Sequence, residues 1–208
     1  MFRELVRKNQ RLSMEDCVQV LNSQTRGVLS VQGDDGYPYG MPMNHWYNEE
    51  DGKIYFHCGT MGHRLDALRR NDKVSFCTYD QGYRKEGDWA WNVKSVIVFG
   101  RVEILNDVDK IAEVTTKLSH KFTQDDHYIQ REIAAAADHT LLLRLTPEHI
   151  CGKLVNEALG IVDLVIDHFR KAHQMGIFLV EHFPNFLRMA MILGKNDRFA
   201  NLLTVINF

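Results

Sequence analysis

Between residues 27 and 33 the chain reads GVLSVQG, with Leu29 and Val31 alternating against Val28, Ser30 and Gln32, which predicts a strand. DDG at 34–36 supplies a turn. The stretch YPYGMPMNHWYN continues extended, with Pro38 and Pro42 excluding helix and suiting an edge or bulged strand. EEDG at 49–52 is a second turn, and KIYFHC is a further strand; two Asp-Gly turns between β-like runs are strong hairpin signals. HRLDALRRN then reads as a short helix. KVSFCTYD (73–80) returns as a strand, QGYRKEGD as a loop, and WAWNVKSVIVFGRVEIL (89–105) as a long strand kinked near Gly100.

A helical period appears in three other places. Met14, Val18 and Leu21 share a face over residues 12–24, with Ser13 placed to cap the helix start. Val108, Ile111, Val114 and Leu118 share another, and residues 125–137 continue as a second helix before the strand HTLLLRLTP (139–147) and EHICGKLV. Hairpin-joined strands with helices between and after them favour an antiparallel sheet or small barrel over a doubly wound parallel sheet. Residues 156–208 change character: Leu159, Val162, Ile166 and Phe169 lie on one helical stripe, which predicts a helical C-terminal extension.

Composition narrows the class. The chain has 208 residues, 45% of them hydrophobic, and 25 basic against 27 acidic side chains, a balance unlike that of a dedicated nucleic-acid binder. The opening MFRELVRKNQRLSMEDC has no apolar signal region, and MGIFLVEHFPNFLRMAMILG is broken by Glu181, His182, Pro184 and Arg188, so neither reads as a leader or a membrane span. Cys17, Cys58, Cys77 and Cys151 form no CxxC pair and read as free thiols. The expectation is a cytoplasmic protein.

The densest chemistry lies in HCGTMGHR, residues 57–64, which admits a metal site, a nucleophile with its base, or an anion cradle. Strand alternation sends His57 and Cys58 to opposite faces, which weakens the first two readings, and no other His/Cys cluster has metal spacing. The helix after the turn opens with Gly62-His63-Arg64 and carries no acid until Asp66, although helix starts favour acids. Cations there suit a bound anion such as phosphate, held by free N–H groups and Arg64. No GxGxxG or Walker-type loop occurs, so the residues alone leave the anion unidentified.

Taken together, YPYGMPMN, DGKIYFHC, GHRLDALRRNDKVSF and SVIVFGRVEIL resemble the FMN-binding split-barrel family related to pyridoxamine 5'-phosphate oxidase, in the branch of the 5-nitroimidazole-resistance proteins. The resemblance covers residues 1–155 and leaves 156–208 as an addition. It implies a mainly β (α+β) fold, a six-stranded antiparallel split β-barrel with flanking helices. It further implies a homodimer with one FMN in each of two clefts at the subunit interface. By position, His63 and Arg64 would hold the FMN phosphate with Ser95 as helper, and Met43, Asn44 and His45 would lie along the isoalloxazine edge. His57, Cys58 and Gly59 would line the pocket.

The activity implied is transfer of electrons from reduced flavin to a small planar acceptor, stacked near His45, Trp46 or the Trp89–Trp91 loop. His45 and His57 are the candidate proton donors, because imidazole can exchange a proton near neutral pH. A flavin carrier and a haem-binding split barrel are the alternatives. GMPMNHW carries none of the basic residues that pyridoxamine-phosphate oxidases place on this strand, so oxidation of pyridoxamine phosphate is not the activity expected.

Overall fold

The computed structural model describes residues 2–86 and 90–156. Residues 157–208, where the helical extension is expected, lie outside the described residues. So does Trp89.

Helix α1 (Met14–Ser23) starts where the sequence places it: Ser13 is the N-cap and its hydroxyl accepts from the Asp16 amide. The strands are β1 (Arg26–Gln32), β2 (Pro38–Asn44), β3 (Trp46–Asn48), β4 (Lys53–Cys58), β5 (Lys73–Tyr79), β6 (Tyr83–Arg84), β7 (Trp91–Leu105) and β8 (Leu141–Asn156). Helix α2 (His63–Arg70) follows β4, while α3 (Val108–Ser119) and α4 (Asp126–Ala136) separate β7 from β8. Asp107 and Asp125 cap α3 and α4 by accepting from the amides of Lys110 and Tyr128.

All pairings are antiparallel, in the order β2-β1-β5-β7-β8-β4-β3, with β6 added on β7. The fold is the mainly β split barrel with flanking helices that the resemblance implies. Six strands are long. The two beyond the expected six are β3, of three residues, and β6, of two. They arise where the chain turns: β6 pairs Tyr83 with Asn92 inside the expected loop, and β3 splits from the extended run at His45. Strand β8 continues to Asn156 because β7 offers it a partner along its whole length.

Topology explains the barrel. Strands β2 and β3 stand at opposite ends of the pairing order, yet only His45 separates them in the chain. The sheet must therefore curl until its ends nearly meet. No ladder joins β2 to β4, and that gap is the split.

The core is built from Leu29, Phe56, Phe76, Val96, Val98, Leu143 and Leu145, with Cys17, Val20 and Leu21 of α1 packed in. Each large side chain fully buried this way contributes roughly 1.5–3 kcal/mol. Gly27 lets the Phe76 ring lie against β1, because a Cβ there would collide with that ring and with the Cys77 carbonyl. The expected kink in β7 is a bulge between Phe99 and Gly100, where any Cβ on Gly100 would meet the Thr146 carbonyl. A second cluster, Tyr55, Leu142, Ile111 and Val114, seals the outer face of β4 under α3.

Candidate functional site at the split

Helix α2 begins at Gly62, whose φ of 119° belongs to the region that favours glycine and which has no side chain to cap the first amides. The turn thus presents backbone N–H groups, and Arg64, two residues on, reaches across the split. Arg64 donates from Nη1 to Sδ of Met43 on β2, at 2.7 Å. It also bonds the Cys58 thiol on β4. Its Nε is buried and has no partner. No carboxylate among the described residues lies within ion-pair distance of its guanidinium. A thioether and a thiol are weak acceptors, so the positive charge is left without compensation.

Beside it is a depression of about 270 Å³ lined by Arg26, Pro42, Met43, Asn44 and His57. Strand alternation explains the set. Arg26 and Asn44 are register partners on the outer face of β1 and β2, and His57 occupies the exposed outer position near the end of β4. Arg26 Nε donates to Asn44 Oδ1 at 3.2 Å. His57 and Cys58 point to opposite faces, as alternation predicts; His57 is exposed and Cys58 buried. Crowding by the surrounding protein atoms first, and then the Arg64 charge, lowers the pKa of His57 even though one side of its ring is open to solvent. Burial raises that of Cys58, against the pull of Arg64. Gly59 has open space where its side chain would be.

Four expected residues are placed otherwise. His45, expected as a proton donor at the flavin edge, is 0% exposed. Its Nε2 meets the Leu21 carbonyl at 2.9 Å, its ring packs edge-on against Phe76, and burial pushes its pKa down to about 3. It is the neutral corner on which the barrel closes. Lys121 fastens the same corner, donating to the carbonyls of Leu21, Gln24 and His45. His63 stacks on Tyr39 at 4.3 Å and reaches Asp34 at 3.2 Å, so its imidazole is tied to the β1–β2 turn rather than aimed at Arg64. Ser95 donates to the Lys153 carbonyl on the outer face of β7, three strands from β2. Trp46 packs on Tyr55 and lies beneath Lys117.

Arg26 was not singled out by sequence. Its signal was available: alternation along GVLSVQ puts position 26 on the face opposite the core. Its distance in sequence from HCGTMGHR hid the connection, which only the β1–β2 register supplies. No group of three or more metal-ligating side chains occurs among the described residues, and no helix there is long and apolar enough to cross a membrane.

A family model described as pyridoxamine 5'-phosphate oxidase matches residues 13–154. The chain belongs to the pyridoxamine 5'-phosphate oxidase family. Solved structures agree with the fold. A candidate 5-nitroimidazole antibiotic resistance protein from Bacteroides thetaiotaomicron superposes with a TM-score of 0.60 at 17% identity, covering 70% of this chain and 87% of that one. An FAD-binding protein from Mesorhizobium loti gives 0.50 at 25% identity, over 70% and 97%. An FAD and heme binding protein from Mycobacterium smegmatis gives 0.54 at 19%, over 70% and 73%. No curated protein matches the sequence.

Proposed function

We propose that this family member is a cytoplasmic FMN-dependent oxidoreductase of the nitroimidazole-reductase-like type, acting on a small planar acceptor. The observation that carries the reading is Arg64. Its partly buried guanidinium has no carboxylate and an unpartnered Nε, at the mouth of a split rimmed by α2 N–H groups. A phosphate monoester supplies the missing acceptor oxygens and negative charge. The residues present fit FMN in that respect: Arg64 and the first α2 amides would take the phosphate, and Met43, Asn44 and His57 would border the ring.

FMN, when bound, supplies the redox chemistry. The chain supplies the rest. Arg64 neutralises the phosphate, Met43 and Pro42 offer apolar surface, and Asn44 orients through its amide. His57 holds an exchangeable proton at the rim, while the buried His45 is withdrawn from that role. Four free cysteines suit a reducing compartment. FAD binding by the Mesorhizobium loti relative supports a flavin here.

A homodimer completes the site in this reading. The depression of one chain falls below the ~300–1,000 Å³ usual for ligand pockets, as half of a two-chain cleft would. The outer face of β1, β5 and β7 also exposes Val28, Tyr79 and Trp91, at 40%, 63% and 46%. The test is the visible spectrum of the purified dimer, followed by reduction of a nitroimidazole with a chemical donor. Flavin absorbance with turnover is expected. Flavin without turnover leaves a carrier, a Soret band means haem, and a colourless protein that takes up no FMN overturns the proposal.

A further inference from the structure

Arg26 is a second guanidinium without a carboxylate partner among the described residues, and it borders the same depression as Arg64's thioether partner Met43. Its side-chain bond to Asn44 has a specific consequence. Because Nε donates to Asn44 Oδ1, the Asn44 amide group turns its N–H donors away from Arg26, and no acidic side chain among the described residues takes the Arg26 terminal N–H groups. His57 adds an imidazole N–H from β4 across the split. The five lining residues thus comprise two apolar side chains and three donors, with no acidic side chain. A depression so furnished repels cations and gains nothing specific from a neutral ligand, but it matches a planar carboxylate, which Arg26 can grip with two parallel N–H groups.

We propose that Arg26, positioned by Asn44, is the specificity residue for a carboxylate on the acceptor, so that the preferred substrates are small planar aromatic acids. The inference rests on the flavin reading of the split for the word acceptor, but the anion subsite itself is a property of Arg26, Asn44 and His57. Arg64 remains the residue for the cofactor phosphate. The two guanidiniums lie on different elements and approach from different faces of the sheet: Arg64 bonds the inward-facing Met43, Arg26 the outward-facing Asn44. They therefore serve two anions rather than one.

The test is calorimetric titration of 4-nitrobenzoate and its neutral counterpart 4-nitrobenzamide into the wild type and Arg26→Gln. Each titration is run on the protein as purified and again after saturation with FMN. The wild type is expected to bind the acid more tightly than the amide, with an affinity that falls as salt rises. Arg26→Gln is expected to weaken the acid by about tenfold or more, leaving the amide within about twofold and changing FMN and riboflavin affinity by the same factor. Equal affinity for acid and amide in the wild type overturns the proposal. So does a variant that loses FMN but not riboflavin, which would place the cofactor's phosphate at Arg26. Failure to take up any FMN overturns the flavin reading instead, and the as-purified titration still decides on Arg26.

Discussion

The two outer flanks of β4 carry arginines of opposite character. On the flank covered by α3, Arg144 pairs with Glu103, Tyr55 donates to Asp51 at 2.6 Å, and Lys110 and Lys117 reach both Glu113 and the faces of Tyr55 and Trp46. On the open flank at the split, Arg64 and Arg26 have soft or neutral partners only. Both Arg64 and Arg144 leave a buried Nε unpaired, so that feature alone does not distinguish them. What differs is the carboxylate: present beside the arginine under α3, and absent among the described residues at the proposed anion site.

Substitutions on the covered flank should therefore register in stability and not in binding. Ile111→Ala, at a buried position of α3 packed on Tyr55 and Leu142, should cost about 2–5 kcal/mol in urea unfolding while the folded protein keeps its FMN affinity. A large change in FMN affinity would dissolve the distinction between the flanks.

The closing corner predicts a pH effect. His45 has a folded pKa of about 3 against 6.5 unfolded, so the unfolded chain binds more protons between those values. Stability from this residue is fully present above pH ~6.5 and is lost as pH falls toward 3, by at most about 1.4 kcal/mol per pH unit. Between pH 7 and pH 4 the urea midpoint should drop, and His45→Gln, which keeps a donor for the Leu21 carbonyl, should flatten that slope. An unchanged slope would mean that His45 is charged in the fold.

Arg144→Ala should lower stability by about 1 kcal/mol, because it breaks the half-exposed ion pair with Glu103 and removes a partner of Tyr55. Arg64→Ala should lower it by less, since no acidic partner is left behind. The reverse order, read from thermal unfolding, would argue that Arg64 is the structural residue. The smallest effect is local. The Arg64 charge helps hold the His57 pKa down, so in Arg64→Ala the His57 imidazole should titrate higher by NMR. An unmoved titration would separate the rim of the depression from Arg64.

Much of this was legible in the sequence, for identifiable reasons. Period-2 and period-3.6 patterns located the strands of the sheet and its capped helices, and the misplaced cations after Gly62 pointed to Arg64 before any contact was known. The placements that local pattern does not carry share one cause. His45 reads like a site residue beside Asn44, but sheet closure turns it into the core, and closure is a property of strand order rather than of local pattern. His63 was likewise drawn away by Asp34 and Tyr39, from a turn nearly thirty residues earlier. Arg26 was missed because only the β1–β2 register brings it opposite Asn44.

In the proposed function Arg64 is an uncompensated charge that takes up a phosphate. Riboflavin is FMN without that phosphate, so equilibrium titration of both ligands into the wild type and Arg64→Ala isolates the contact. FMN should bind the wild type more tightly than riboflavin, and Arg64→Ala should weaken FMN by roughly 1.5–3 kcal/mol while leaving riboflavin almost unchanged. Equal losses for the two ligands, or none for FMN, would contradict it.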